Sequence, residues 1–204
     1  MCESENVIEL PEPRYTSDVS IEQALSERRS CRSFADEPLT VPDVSQLLWA
    51  AQGITNERGY RTAPSGGALF PLETYVVVGN VVGLKNGIYR YKPREHSLAP
   101  VLMGDKRGEL CDSALGQAFL REVPVSIVFS AIYERITEKY GERGKQYTHM
   151  EAGHAAQNVY LQAISLDLGT VVVGAFRDND VKKIIPMEEN EQPLYIMPVG
   201  KKRQ

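Results

Sequence analysis

Five consecutive residues, Arg28-Arg29-Ser30-Cys31-Arg32, put three guanidiniums and a hydroxyl into one short stretch. That set suits a phosphate, held through charge-assisted and bidentate hydrogen bonds. The stretch follows a helix whose C-terminal dipole repels anions, so side chains rather than helix amides must do the holding. The same arginines also suit a plainer role, complementing that C-terminus in solvent. A second stretch, Pro64-Ser65-Gly66-Gly67-Ala68, pairs glycines that permit close backbone approach to a flat ligand, with a simple turn as the alternative. A third, Val172-Val173-Gly174, ends a strand in glycine and suits either a ring's edge or plain packing. The charged run Glu134–Tyr147 contains Lys139 and Tyr140, and such runs are usually solvated faces.

Other catalytic patterns are missing. No GxGxxG follows a strand, and neither GxxxxGK[ST] nor GxSxG occurs, so dinucleotide-fold, P-loop and hydrolase readings lack their signals. His149, Glu151 and His154 are spaced HxExxH rather than HExxH. On a helix the two histidines lie about 500° apart in rotation, so they do not share a face and a metal site is not expected. Cys2, Cys31 and Cys111 form no CxxC pair, which suits reduced cytosolic thiols. With 23 basic against 27 acidic residues the net charge is −4, giving no general case for nucleic acid or an anionic membrane as partner. The acidic first residues are not a signal peptide, and no apolar run exceeds strand length. A soluble, cytoplasmic protein is expected.

The elements that must position these groups follow from periodicity. Residues 1–19 read as an extended arm with Pro11 and Pro13 bracketing Glu12, and residues 20–204 as one domain; the chain as a whole is 42% hydrophobic. Ser20 caps a first helix with the stripe Ile21, Ala24, Leu25, ending near Arg29-Ser30. Thr40 and Asp43 start a second, with Val44, Leu47, Leu48 and Ala51 on one face and Gly53 as its C′ residue. Strands are expected at 74–78, 88–91, 99–103, 125–131, 170–173 and 194–199, and helices at 106–120, 148–167 and 179–185. Residues 134–147, interrupted by glycine, read as a loop or frayed helix. The helix at 148–167 carries Ala152, Gly153, Ala155, Ala156 and Ala163, small enough for another backbone to approach, whether the chain's own or a second copy's. Strands and helices mix without strict alternation, which favours α+β.

In this order, LSERRSCRSF (25–34), LLWAAQGI (47–54), RTAPSGGALFPLE (61–73), EAGHAAQN (151–158), GTVVVGAF (169–176) and the MPVGK ending at Lys201 resemble the nitroreductase-like flavoproteins. RTAPSGGA and EAGHAAQN together resemble the SagB/ThcOx-type azoline-dehydrogenase branch. The resemblance implies an α+β fold, with a mainly antiparallel sheet flanked by helices, in an interlocked homodimer with FMN at the interface. It implies that Arg28, Arg29, Ser30 and Arg32 contact the FMN phosphate and ribityl chain, joined by Lys201 and Arg203. Pro64, Ser65 and Gly67 would lie near the isoalloxazine ring, Val172, Val173 and Gly174 on its other side, and Gln157 beside it. Lys139-Tyr140 stands where azoline dehydrogenases carry a Lys-Tyr pair, implying a base that takes a proton while flavin N5 takes a hydride. Such a base needs its proton affinity lowered by burial or by cations such as Arg143.

Two enzyme readings follow: ping-pong dehydrogenation of a small C–N, azoline-like substrate, or NAD(P)H-dependent reduction of nitroaromatics or quinones with NAD(P)H as transient donor. A flavin-binding subunit without turnover is the reading from another class. Only about twenty residues precede the first helix, so the extra N-terminal domain of many azole-forming relatives is not expected. A peptide substrate delivered by a partner complex is therefore not expected either. Leu69-Phe70 would make the site more hydrophobic than a typical reductase site.

Overall fold

The computed structural model describes residues 7–203, so Cys2 and the first six residues of the expected arm lie outside it. Its strands are β1 (Ile8–Glu9), β2 (Leu39–Thr40), β3 (Leu72–Val78), β4 (Val81–Val82), β5 (Gly87–Lys92), β6 (Ser97–Met103), β7 (Val125–Ile132), β8 (Leu168–Thr170) and β9 (Glu191–Lys201). Its helices are α1 (Ile21–Glu27), α2 (Val41–Gln52), α3 (Arg107–Ser113), α4 (Phe119–Glu122), α5 (Glu134–Tyr140), α6 (Arg143–Ser165) and α7 (Asp178–Ile184). Seven strands form one sheet, ordered β1-β6-β5-β3-β7-β9-β8 and antiparallel at each ladder. β2 and β4 make a small parallel pair. The architecture is α+β, as the mixed element order implied.

The central strands are apolar on both faces because both are covered. Along β3, Val76 and Val78 enter one apolar cluster with α2 and α6, while Tyr75 and Val77 enter a second with α3 and α7. β7 and β9 divide in the same way. α2 forms as its pattern dictates: Thr40 and Asp43 close a reciprocal capping box, and Val44, Leu47, Leu48 and Ala51 are buried. Gly53 ends it without a left-handed turn, since its φ is −62°. Glycine is needed there because a Cβ would stand 2.2 Å from the Trp49 ring.

Four expectations change. The stripe of α1 is not buried: Ala24 faces the core while Ile21 and Leu25 are 55% and 54% exposed. The helix expected at 106–120 breaks at Leu115 and Gly116, whose φ values of 59° and 75° are left-handed. The strand expected at 170–173 is shorter, ending at Thr170, with Val173 paired singly to Ile196. Residues 134–147 are helical, being α5 and the first turn of α6. Their glycines are not breakers of order: Gly141 (φ 56°) turns the corner, and Gly144 lets α6 cross α5, a Cβ there meeting Ile136 backbone at 3.1 Å. The small face of α6 serves the chain's own core, where Ala152, Ala155, Ala156, Val159 and Ala163 are buried.

Candidate active site

Beyond α1 the chain runs beside β8 and the end of β9. Cys31 N donates to Thr170 O (2.9 Å), Ala35 N to Lys201 O (2.9 Å) and Arg203 N to Ser33 O (3.2 Å). These bonds hold the arginine stretch against a cleft of about 280 Å³ whose walls include Arg29, Ser30, Arg32, Lys202 and Arg203. Four cations and a hydroxyl around one cleft are the donor set a dianionic phosphate requires. Arg29 also donates to Ser26 O (3.0 Å) and Arg28 O (2.8 Å), so it closes the helix end while lining the cleft. Arg28 does not line it; its guanidinium lies over the Tyr160 ring at 5.2 Å. Lys201 points its ammonium to Leu166 O (3.5 Å), and the next residue, Lys202, takes the wall.

Tyr160 organises this side, and nothing in the sequence announced it. Its hydroxyl accepts from Val172 N (2.8 Å) and lies 3.3 Å from Ser30 Oγ, tying the arginine stretch to the segment after β8. Val173 exchanges both backbone hydrogen bonds with Ile196 (2.8 and 3.0 Å) and is buried in the second cluster, so its side chain is core. Gly174 is exposed, and a Cβ there would make only ordinary contact with Tyr195 at 3.8 Å.

The glycine loop lies elsewhere along α6. Thr62 is fixed by its hydroxyl to Trp49 O (3.1 Å) and by its carbonyl to Asn158 Nδ2 (3.2 Å). Ser65 Oγ then accepts from Phe70 N (2.9 Å), closing a 3-10 turn at Gly66–Ala68. The turn holds uncommon backbone: Ala68 and Phe70 have φ of 56° and 47°, and Gly67 has 63°. A Cβ on Gly67 would stand 2.7 Å from Tyr140 Oη and 3.2 Å from Lys139 Nζ. The last residues of α5 therefore rest on the loop, a meeting of segments seventy residues apart. Tyr140 packs edge-on to Tyr147 at 5.3 Å, and Lys139 is exposed, so one chain does not supply the burial expected around a base. Arg143 lies over the Tyr147 ring at 5.6 Å. Pro64 is exposed, and Leu69 and Phe70 are half-buried.

Beneath this loop sits Glu151, 2% exposed, with neither carboxyl oxygen in a hydrogen bond. Burial pushes its carboxyl up to about 7, opposed in part by Ser65 and the Arg61 charge. The Ser65 hydroxyl is thus near enough to act without making a full hydrogen bond. Arg61 donates to Gln52 Oε1 (2.7 Å) and stacks on the Phe70 ring at 4.3 Å. The sequence placed Glu151 in a rejected metal pattern and at the head of the EAGHAAQN segment, with no role of its own. Its place beside the alanines of the buried stripe was the available signal. His149 bonds Tyr133 (2.6 Å) and His154 is exposed, so the three share no centre.

The two groups of residues flank α6. Tyr147, beside Gly66, and Tyr160, beside Ser30, are thirteen residues apart on that helix. At 1.5 Å and 100° per residue they are separated by about 20 Å and about 220° of rotation. Gln157, Gly153 and Met150 occupy the exposed face between those flanks. A larger cleft of about 410 Å³, between Arg14–Ile21, α2 and α6, is lined by Trp49, Thr62 and Asn158 but, among the described residues, by no carboxylate, histidine or cysteine.

The nitroreductase family pattern matches residues 25–201. The Methanocaldococcus jannaschii protein MJ1384, named as a nitroreductase, is 47% identical over 195 residues, 96% of each chain. A crystal structure of a Ralstonia eutropha protein, also named as a nitroreductase, is 33% identical with a TM-score of 0.86, over 98% of this chain and 91% of that one. A chain of the Escherichia coli microcin synthetase McbBCD complex, solved with truncated pro-MccB17 bound, is 26% identical with a TM-score of 0.76, over 96% and 78%. The chain therefore belongs to the nitroreductase family and is one of its flavin oxidoreductases.

Proposed function

We propose that the protein is an FMN-dependent dehydrogenase of a small C–N substrate, working as a homodimer in which each active site joins two copies. The observation that carries it is the contact of Lys139 Nζ and Tyr140 Oη with Gly67, which brings a proton-accepting pair to a glycine loop. The residues present fit FMN: Arg29, Ser30, Arg32 and Arg203 would hold its phosphate, and the Ser65–Gly67 backbone would approach its ring. FMN, when bound, supplies the two-electron acceptor. The chain's own part is to orient the substrate and to take the remaining proton at Lys139 Nζ or Tyr140 Oη. The McbC-containing complex favours the C–N reading, in keeping with the SagB-type segments. A cytoplasmic location belongs to the same reading.

The arrangement along α6 supports the homodimer. One chain carries its cations and its loop on opposite flanks of that helix, so a second copy packed on the exposed face would bring the cations of one to the loop of the other. Exposed Ile21, Leu25 and Met150 suit such a face. Packing by a second copy would also bury Lys139, which a base requires.

Mixing two inactive variants tests both claims. Arg32→Ala and Lys139→Ala, unfolded and refolded together, give heterodimers in which one of the two sites has all its residues. Random pairing makes half the dimers mixed, so about a quarter of the wild-type dehydrogenation rate returns. No recovery from folded, FMN-binding dimers refutes the shared site. Reduction by NAD(P)H is the second reading, favoured by the 47% identical relative named as a nitroreductase. NAD(P)H-driven turnover unaffected by Lys139→Ala and Tyr140→Phe selects it, and FMN binding with no turnover on either route selects a carrier.

A further inference from the structure

Among the described residues, Glu151 is the deeply buried acid beside the loop that the proposed chemistry leaves unused. We propose that Glu151 is a positioning residue for the Lys139–Tyr140 pair: gain or loss of a proton at its carboxyl resets the Arg61–Phe70 loop on which the pair rests. The inference deepens the reading above and rests on it for the catalytic role of the pair.

The argument begins with unmatched groups. Both Glu151 oxygens lack a hydrogen bond, as do Arg61 Nε and Gln52 Nε2 nearby, while Arg61 is turned to Gln52 Oε1 and the Phe70 ring. An ionised carboxylate in that position would carry a large desolvation cost, so this arrangement is that of the neutral acid. Its carboxyl is pushed up to about 7, consistent with that state near neutrality. Ionisation gives the Ser65 hydroxyl a charged acceptor and sets a carboxylate charge against the Arg61 charge, and both residues belong to the loop.

Movement of Ser65 does not stay local. Ser65 Oγ accepts from Phe70 N (2.9 Å), and that bond closes the turn containing Gly67. Gly67 in turn leaves no room for a Cβ, which would stand 2.7 Å from Tyr140 Oη and 3.2 Å from Lys139 Nζ. The other charges facing the cluster already have partners. Glu73 on β3 pairs with Arg90 (2.9 Å) and Arg135 (2.6 Å), and Tyr91 on β5 donates to or accepts from His96 Nδ1 (2.8 Å). Arg135 also holds Phe70 O (3.3 Å), which anchors the far end of the loop and leaves the Ser65 end to move. The group beneath the loop free to change charge near neutrality is therefore Glu151.

Trp49, the only tryptophan, reports on the loop because its carbonyl holds the Thr62 hydroxyl (3.1 Å). The test follows Trp49 fluorescence and the infrared band of a protonated carboxyl across pH about 5.5 to about 8.5, in flavin-free protein. Wild type should show both transitions with one midpoint near 7, and Glu151→Gln should lose both. Ser65→Ala, which keeps the acid but cuts its link to the turn, should keep the infrared transition and lose the fluorescence one. With FMN restored, the pH dependence of Lys139-dependent turnover should flatten in Glu151→Gln while FMN affinity stays. A fluorescence transition that persists in Glu151→Gln, or an absent infrared transition in wild type, overturns the inference. Full turnover in Lys139→Ala would instead overturn the catalytic reading, because the loop transition is read without substrate or flavin.

Discussion

Replacing Glu151 by glutamine should change how stability depends on pH, with a sign and size that follow from its burial. A glutamate carboxyl ordinarily titrates at 4.5, and this one at about 7. At roughly 1.4 kcal/mol per pH unit the difference corresponds to about 3 kcal/mol. Below pH 4.5 the acid is neutral both folded and unfolded, and the fold keeps this contribution in full. From there up to about 7 the unfolded chain has released the proton while the fold retains it, so stability falls as pH rises. Above 7 both states are ionised and the loss is complete. Glutamine cannot ionise, and its amide adds only a pH-independent offset. Urea unfolding of the two proteins at a series of pH values should therefore show the variant gaining on wild type by about 3 kcal/mol between pH 4.5 and pH 7.5. Because other carboxylates titrate equally in both, the difference isolates this group. A difference that stays level over that interval would refute the claim that the carboxyl is buried without a partner.

Gly67→Ala should lose about 1–2 kcal/mol to its left-handed backbone and, because its Cβ collides with Tyr140 Oη, should cut dehydrogenation more than FMN affinity; melts and a flavin titration separate the two. Tyr160→Phe leaves Val172 N without its acceptor and frees Ser30, so it should weaken FMN more than riboflavin, read by quenching of flavin fluorescence. Leu47→Ala, at a fully buried position of α2, should cost about 3 kcal/mol in urea unfolding while leaving the spectrum of bound flavin unchanged.

What the sequence disclosed depended on how local the cause was. The start and stripe of the second helix were legible because its capping box and its stripe lie within twelve residues. Strands β5 and β6 were legible near 88–91 and 99–103 because a strand's residue pattern is local too. α1 misled because an apolar stripe states that a face is apolar, not what covers it. Residues 134–147 misled for the opposite reason: their glycines look like interruptions until Ile136 is seen packed beneath Gly144. Among site residues, the arginine stretch could be found because its chemistry is concentrated in five positions. Tyr160 could not, since a tyrosine on a helix looks the same whether it packs, bonds Val172 or faces water. The contact of Lys139 and Tyr140 with Gly67 is a tertiary fact, and only the ordered resemblance of separate segments pointed to it.

The weight of the site falls on α6, and its composition explains why. Its inner face is built of alanines and one valine, which bring the helix close to the sheet and fix it there. Its two flanks carry groups of the candidate site: Glu151 and Asn158 under the glycine loop on one, Tyr160 under the arginine stretch on the other. Its outer face, with Gly153 and exposed Met150 and Gln157, separates them. A rigid helix cannot bend to bring its own flanks together, and that separation along α6 is what supports the proposal of a site shared by two copies. The same rigidity lets a single proton at Glu151 matter: with the helix fixed from within, charge beneath the loop has only the loop to move.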